Sequence, residues 1–380
     1  MKYAGILRIG FKLLVNDKAK FSALLIGITF SVFLMMQMTA MFAGILNRAY
    51  STVTNIGATM WVMDQAVNTP VNTIPLPDYL LDAVRSMDEV NYAVPIYIGG
   101  AQVRLESGTY QPVSVIGLDD TSLFGRPELE QGRIEDIYAE NAFIMVHDAE
   151  FAKLESPKIG TSFELNDHRG TIVALAKVAA SGLTGVPTLY TTYRRAIEYI
   201  PTTRFTVSYI LLQPKSAAGE ASIKNQVAQL GYVALTKDEF NQRITHFYIY
   251  QTGVGTNILM MTIISFLIGL SISGQTFYTF ILENLDKFAA LKAIGAKGRE
   301  LIYMILFMAT FTAMTGYGLG IGLVTLMISI ARSNVPNYAA IITFWNLGLA
   351  FGMVLLIAGV SSYVGIRKVL KIEPFDIFRG

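Results

Sequence analysis

The stretch FSALLIGITFSVFLMMQMTAMFAGIL, residues 21–46, contains no charged side chain. A helix needs about 20 consecutive apolar residues to cross the roughly 30 Å hydrocarbon core of a bilayer, and this stretch is longer. Three further charge-free stretches, residues 257–282, 301–330 and 343–366, are also long enough. The chain of 380 residues is 52% hydrophobic and only 15% charged, whereas soluble domains carry about 25% charged residues. The sequence therefore predicts four transmembrane helices.

A secretory signal peptide is the alternative interpretation of residues 21–46. The apolar region of a signal peptide is about 7–15 residues long, which is much shorter than this stretch, and residues 1–20 precede it. A transmembrane helix is therefore favoured. The chain has no cysteine, so an exported region cannot rely on disulfides and must fold around its own core.

The distribution of lysine and arginine predicts the orientation. Residues 1–20 hold five of them, residues 283–300 hold four and residues 367–380 hold four, whereas residues 331–342 hold only one. Basic residues near membrane spans favour the cytoplasmic side. We therefore expect both termini in the cytoplasm. Residues 47–256 then lie outside, with 16 basic and 22 acidic residues. The charge pattern gives no sign of nucleic-acid binding.

The opening ILRIGFKLLVNDKAKF places apolar residues at helical spacing with basic residues between them. This pattern predicts that residues 1–20 form an amphipathic helix in the cytoplasmic membrane interface. A merely solvated basic start remains the alternative.

Residues 47–256 have a different character and predict a folded α+β domain, in one or two lobes. Short alternating stretches predict strands at residues 95–105, 110–118, 141–147, 170–179, 188–193 and 204–213. Helical patterns occur at residues 77–87, 193–200 and 221–231. The fold class is therefore membrane α-helical, with a large extracytoplasmic α+β domain inserted between transmembrane helices 1 and 2. From Lys237 onward we expect one continuous helix, a stalk that becomes transmembrane helix 2.

The chain lacks the patterns of a catalytic protein. It has no G-x-x-x-x-G-K-[ST] nucleotide-binding loop, no H-E-x-x-H and no G-x-S-x-G. Its three histidines are scattered, which disfavours a zinc site. No charge lies inside a predicted span, which argues against an ion or proton pathway. We therefore expect a non-enzymatic membrane protein that binds no cofactor or metal and whose energy source lies elsewhere.

The predicted cytoplasmic segment, residues 283–300, is ENLDKFAALKAIGAKGRE. Its apolar residues recur at helical spacing, with charges between them and small residues that allow close approach of a partner. An amphipathic helix of this kind can dock into a groove on a cytoplasmic protein. A re-entry loop lying on anionic headgroups explains the same pattern, and periodicity alone does not separate the two.

This segment resembles the coupling helix of the MacB/FtsX-like permeases, the mechanotransmission (type VII) class of ABC transporters. The residues that carry the resemblance are Glu283, Lys287, Ala290, Leu291, Lys292, Ala293, Ile294, Gly295 and Ala296. The order of segments is also similar along nearly the whole chain, and the tail RKVLKIEPFDIFRG, with Arg367, Lys368, Pro374 and Arg379, looks like the family ending. The compact insertion and the lack of a fused ATPase are most similar to the DevC-type and haem-exporter-type subunits.

The resemblance implies a permease subunit of an ABC exporter in the inner membrane of a bacterial cell. Such permeases are homodimers that work with two copies of a separate ATPase, which holds the ATP and magnesium. The implied cargo is hydrophobic or amphipathic: a lipid or glycolipid, haem, a drug or a peptide. The resemblance leaves open whether the exporter also includes a periplasmic adaptor and an outer-membrane duct. Two alternatives remain: an FtsX-like scaffold that transmits force to a periplasmic partner without transport, and a standalone sensor or adhesin, which leaves the coupling helix unexplained.

Two further sets of residues carry hypotheses. Small and polar residues in helices 1 and 2 indicate a two-fold interface, since they allow close packing and need partners in lipid; these are Gln37, Gly269, Ser273 and Gln275. Packing within one protomer is the alternative. Flexible methionines in the outer half of helix 1 indicate an adaptable substrate surface, formed by Met35, Met38, Met41 and Phe42. Ordinary contact with lipid explains them equally.

Overall fold

The computed structural model describes residues 2–179, 182–200, 206–335 and 337–371. The chain divides into two compact units, the first formed by Met1–Gly44 with Val254–Gly380 and the second by Ile45–Gly253. The tail residues Pro374 and Arg379, which carry part of the family resemblance, lie outside the described residues.

The described residues contain eleven α-helices. They are α1 Lys2–Asn16, α2 Lys18–Ala49, α3 Ser51–Ile56, α4 Tyr79–Arg85, α5 Tyr193–Tyr199, α6 Gly219–Gln229, α7 Lys237–His246, α8 Val254–Glu283, α9 Leu285–Ala293, α10 Gly298–Asn334 and α11 Phe344–Leu370. Four of them, α2, α8, α10 and α11, are long and apolar enough to cross a membrane. The four predicted transmembrane helices are thus confirmed as helices of sufficient length and composition.

Glycines in α10 set the packing of α2 in the first unit. A Cβ atom built on Gly316 would lie 2.6 Å from a methyl of Ile28, and one on Gly320 would lie 2.6 Å from a methyl of Val32. Because these positions carry no side chain, the two helices approach closely, as small residues allow in lipid. Leu24, Ile28 and Val32 are buried along this face of α2.

The second unit contains a ten-stranded sheet in the order β10-β1-β9-β2-β3-β8-β5-β7-β4, with β6 pairing β2 and β7. The strands are β1 Met60–Met63, β2 Val90–Arg104, β3 Tyr110–Leu118, β4 Glu128–Gln131, β5 Ala142–Val146, β6 Ser162–Leu165, β7 His168–Lys177, β8 Thr188–Thr192, β9 Tyr209–Pro214 and β10 Val233–Thr236. The long strand β2 connects the two parts of the sheet, because its first half pairs with β9 and its second half pairs with β3. The pairs β3–β8 and β5–β7 are parallel.

Helices cover both faces of this sheet. On one face, Leu80 of α4 and Ile223 of α6 pack into a buried cluster with residues of β1 and β9. On the other face, Phe240 of α7 packs beside Trp61, with ring centroids 5.7 Å apart, and Trp61 packs beside Tyr209 at 5.4 Å. This mixture of strands and packed helices confirms the predicted α+β domain inserted between the first and second spans.

The expected continuous stalk is wrong. Helix α7 ends at His246, a π-helical turn covers Phe247–Gln251, and Gly253 adopts a left-handed conformation with φ +72° before α8 begins. A left-handed residue cannot continue a right-handed helix, and glycine adopts it without steric cost because it has no Cβ atom. The helical path from Lys237 is therefore interrupted at Gly253.

Candidate functional site

The candidate site begins with the connecting segment, which we define as residues 284–297 between α8 and α10. Asn284 is buried at the turn that leaves α8. Its side-chain amide donates to the carbonyl of Phe280 at 2.8 Å and accepts from the ammonium of Lys287 at 2.8 Å. These two side-chain hydrogen bonds fix the point at which α9 starts.

Helix α9 has one buried and one exposed face. Phe288 and Ala289 are buried in the core of the first unit. The exposed face carries Asp286 and Ala290, which are four residues apart and so lie on one side of the helix, and it is continued by Ile294, the exposed residue directly after α9. The side chain of Ile294 is 82% exposed. A large apolar side chain this exposed, outside the apolar spans, is suited to contact with a partner.

The end of α9 is a Schellman motif. The N–H of Ala296 donates to the carbonyl of Leu291 at 3.0 Å, and the N–H of Gly295 donates to that of Lys292 at 3.1 Å. Gly295 is left-handed, with φ +100°. The motif turns the chain into α10, where the carboxylate of Glu300 accepts from the N–H of Lys297 at 2.8 Å.

The structure places the residues predicted for ATPase coupling in different environments. Ala290, Ile294 and Gly295 are exposed, whereas Leu291 and Ala296 pack partly against the core of their own unit. The remaining predicted residues all have partners within the chain: Glu283 contacts Lys20, Lys287 bonds Asn284, and Lys292 donates to the carbonyl of Leu370 at 3.5 Å. Leu291 is thus partly covered within its own protomer, and its assignment as a docking side chain stays a prediction.

The predicted dimer residues of α8 lie on two different faces. A Cβ atom on Gly269 would lie 2.1 Å from the hydroxyl of Ser31 and 3.2 Å from Ile357, so this position is filled from within the protomer. Ser273 is also buried. These positions contradict the hypothesis that Gly269 and Ser273 lie between protomers. Gln275 is exposed on the opposite face.

Gln37 of α2 is satisfied in part within its own chain. Its side-chain amide donates to the hydroxyl of Tyr338, while its carbonyl oxygen Oε1 is buried and has no partner among the described residues. The bond to Tyr338 thus accounts for the amide nitrogen of Gln37 within a single protomer, and its role at a dimer interface stays a prediction.

The residues predicted to bind substrate also differ in burial. Met35 is fully buried in the core of the first unit, which contradicts its place on a substrate surface. Met38, Met41 and Phe42 are partly exposed, and Met41 packs in part against the same core.

An apolar groove that the sequence did not indicate lies between α2 and α10. Its volume is about 920 Å³. From α2, the groove is lined by Ile26 and Phe30, whose side chains are 69% and 50% exposed. From α10, it is lined by Leu323 and Leu326. The small residues that bring α2 and α10 together were visible in the sequence, but which faces they leave open depends on the packing.

Titratable groups do not gather into a ligand set in the described ranges. No group of three or more histidine, cysteine or acidic side chains could hold a metal ion there. The Nδ1 atom of His147 lies 2.7 Å from the carboxylate of Glu130, and the ring of His168 stacks on Tyr199.

Comparison with protein families decides the relationship of the chain. The family described as MacB-like periplasmic core domain matches residues 22–230, more than half of the chain, and the family described as FtsX-like permease C-terminal matches residues 259–374. The chain belongs to the MacB/FtsX-like permease family. The resemblance found in the sequence is confirmed. With four apolar helices, this permease is an integral membrane protein.

Individual relatives of the permease are more distant. The putative hemin transport system permease protein HrtB of Staphylococcus haemolyticus (strain JCSC1435) is 26% identical over 121 residues, and the match spans 32% of this chain and 34% of that protein. The extracellular domain of the noncanonic ABC-type transporter YknZ, from Gram-positive bacteria, is 13% identical with a TM-score of 0.36. The match covers 47% of this chain and 99% of that solved domain. The periplasmic region of MacB from Actinobacillus actinomycetemcomitans is 14% identical with a TM-score of 0.36. The match covers 50% of this chain and 92% of that structure.

Proposed function

We propose that this permease is the membrane subunit of an ABC exporter, and that its exposed α9 face docks on a separate ATPase subunit. The observation that carries the proposal is the 82% exposure of Ile294 on a segment between two membrane spans of a MacB/FtsX-like permease. The ATPase, present in two copies, binds the ATP and magnesium and hydrolyses the ATP. In this arrangement both termini are cytoplasmic, in the inner membrane of a bacterium.

The docking surface consists of Ala290, Ala293, Ile294 and Gly295, which are all exposed. Three of the four have at most a methyl side chain, so a partner helix or loop can approach the backbone closely. Ile294 then supplies the apolar side chain that enters a pocket on the partner, as apolar residues do at the centres of interfaces. The rigid Schellman end of α9 holds this residue in place.

We propose that the permease forms a homodimer through the exposed face of α8. Ile264, Leu267, Ser271 and Gln275 recur at helical spacing on this face and are all exposed. A shallow apolar groove of about 350 Å³ runs between Ile264 and Ile272. Within lipid, the amide of Gln275 needs a hydrogen-bonding partner, and a second copy supplies one.

The proposed cargo is hydrophobic or amphipathic. The groove between α2 and α10 is lined almost entirely by apolar side chains and opens sideways from the helices, so it accepts acyl chains or aromatic rings. The relative HrtB is named as a hemin transport permease, which makes haem one candidate beside a lipid or glycolipid, a drug or a peptide. A periplasmic adaptor with an outer-membrane duct would extend the export path.

Reconstitution tests the proposal. The full chain is placed in vesicles with a separate ABC ATPase subunit from the same organism, and ATP hydrolysis and cargo release are measured with haemin and with a fluorescent phospholipid. We expect a stable complex with cargo-stimulated hydrolysis and ATP-dependent release. Failure of the two proteins to associate would contradict the proposed coupling. Normal association and hydrolysis without release of any cargo would support the force-transmitting scaffold instead.

A further inference from the structure

A cavity of about 560 Å³ lies on one face of the sheet in the second unit. Its floor is formed by alternate residues of β2, β3 and β8, among them Gly100, Gln102, Ser114, Thr188 and Tyr190. Alternate residues of a strand point to the same face, so these five positions share one surface. The volume is within the range of about 300–1,000 Å³ for pockets that bind small molecules.

The hydroxyl of Tyr190 is the most informative group in this cavity. Tyr190 lines the cavity and is only 1% exposed, and its phenol can both donate and accept a hydrogen bond. Burial, together with the charge of Asp148, raises the pKa of the Tyr190 phenol above its ordinary value. The group therefore stays protonated and can donate to a ligand in the cavity.

Gly100 keeps the floor of the cavity open. A Cβ atom built on Gly100 would meet no atom within 4 Å, although the residue lies within β2 and pairs with Ser114 of β3. Glycine inside a strand weakens it and often marks a place where a ligand approaches the backbone. A side chain here would enter the empty space without disturbing the sheet.

The chemistry of the lining selects against anions. None of the described residues that line the cavity is lysine, arginine or histidine, and its single charged side chain is Asp148. A phosphate or carboxylate transferred into such a site would lose its hydration without gaining a cation. The polar groups are instead hydroxyls and amides, each able to donate and accept a hydrogen bond, as in Ser114, Thr188 and Gln102.

We propose that this cavity binds an uncharged saccharide. The hydroxyls of a sugar both donate and accept, which matches the lining, and its C–H faces match the aliphatic side chains of Ile98 and Ile116 on the same floor. A peptide is the competing ligand, but extended peptides bind at sheet edges, and this cavity lies over a sheet face. The proposal does not depend on ATPase coupling or on the cargo of the membrane helices.

The test uses the full chain in lipid nanodiscs, prepared without sugar-based detergents. Binding of maltotriose, N,N′-diacetylchitobiose and lactose is measured by saturation-transfer NMR and calorimetry, together with an array of neutral glycans. Anionic 3′-sialyllactose and an uncharged Ala-Gly peptide serve as comparison ligands. We expect at least one neutral glycan to bind and 3′-sialyllactose to bind less well than lactose.

Two variants locate the binding site. Tyr190→Phe removes only the hydroxyl and should weaken binding about two- to tenfold, the value of one hydrogen bond. Gly100→Leu fills the cavity and should abolish binding. Tyr110→Phe and Glu128→Leu, which change exposed positions outside the cavity, should bind normally. The proposal is overturned if no neutral glycan binds, if both cavity variants bind as the wild type does, or if the peptide alone binds in a Tyr190-dependent way.

Discussion

The ammonium of Lys20, near the start of α2, contacts the carboxylate of Glu283, the last residue of α8. The C-terminal end of a helix carries partial negative charge, so Glu283 is unfavourable there unless a cation lies beside it. Lys20 also lies 3.0 Å from Asp17, and its hydrogen bond holds the pKa of the Asp17 carboxyl below its ordinary value. One lysine thus compensates two carboxylates, one just before the start of α2 and one at the end of α8.

We expect Lys20→Gln to lower the thermal stability of the full chain by at most about 1 kcal/mol, as for a partly exposed ion pair. The loss should shrink at high salt, because screening weakens such pairs. The double exchange Lys20→Glu with Glu283→Lys should restore part of the Glu283 contribution. Lys18→Gln, an exposed neighbour, is the control. An equal effect of both glutamine variants would show that the pair contributes nothing specific.

The exposed and buried faces of α9 predict opposite effects for two apolar residues. Ile294→Asp should reduce binding of the ATPase at least tenfold and leave the melting temperature of the isolated permease nearly unchanged, because the side chain is exposed. Leu291→Asp should lower the melting temperature, because it introduces a charge against the core of the same unit. Co-purification and thermal unfolding are the measurements, with Ile294→Leu as the conservative control. Full ATPase binding by Ile294→Asp would exclude the proposed docking face.

The left-handed Gly295 predicts a backbone effect. Gly295→Ala should cost about 1–2 kcal/mol, since a Cβ atom disfavours φ +100° although space around it is free. Hydrogen exchange should accelerate in residues 284–297. Gly318→Ala is the matched control, because Gly318 is helical with the same free space, and alanine there should stabilise α10 by up to about 1 kcal/mol. Equal exchange in both variants would show that the motif does not hold the segment.

Cross-linking tests which face of α8 lies in the dimer. The chain has no cysteine, so single substitutions report one position each. Ile264→Cys and Ser271→Cys should form disulfide-linked dimers in native membranes, whereas Gly269→Cys and Ser273→Cys should not, because those positions face Ser31 and the protomer interior. A disulfide requires Cβ atoms about 3.5–4.5 Å apart. Linkage at the second pair alone would reverse the assigned face.

Glu239 predicts how the second unit responds to acid. Burial raises the pKa of its carboxyl, but hydrogen bonds from Lys224 at 2.7 Å and from the N–H of Thr236 at 2.9 Å outweigh burial and hold it below the ordinary value. A depressed pKa stabilises the fold above the unfolded-state pKa, about 4.3, and this contribution is lost as pH falls through the folded-state value. Glu239→Gln should therefore be less stable than the wild type at pH 7.

The difference between the two proteins should shrink as the pH is lowered below about 4. Trp61 is the reporter, since it is buried and its ring packs beside Phe240 of α7; a Trp345→Phe background leaves it as the only tryptophan. Its fluorescence is followed during unfolding of the full chain at each pH. A difference that stays constant with pH would show that the charge of Glu239 contributes nothing.

The membrane helices and most of the sheet could be predicted from the sequence because their patterns are long and local. Strands as short as β1 and β10 were missed because four residues are too few to show alternation, and pairing with neighbouring strands creates them. MWVM in β1 is buried throughout between β10 and β9. ELEQ in β4 is mostly exposed and becomes a strand only by pairing with β7.

The faces of the helices could not be predicted. Gly269 and Gln275 belong to one small, polar stretch of α8, yet one packs on Ser31 and the other is exposed. Composition shows that such a stretch packs closely, but the direction depends on where α2 and α11 lie. For the same reason Leu291 on α9 and Ile294 directly after it were assigned one role and have two environments.

The interruption at Gly253 makes the two membrane-proximal connections of the inserted domain mechanically unequal. Helix α2 continues without a break from Lys18 to Ala49, so its ladder of backbone hydrogen bonds resists torsion along its whole length. On the return path the α-helical ladder is interrupted between His246 and Val254, where a π-helical turn and the left-handed Gly253 intervene. The α-helical ladder therefore stiffens the outgoing connection along its whole length and the return connection only in part.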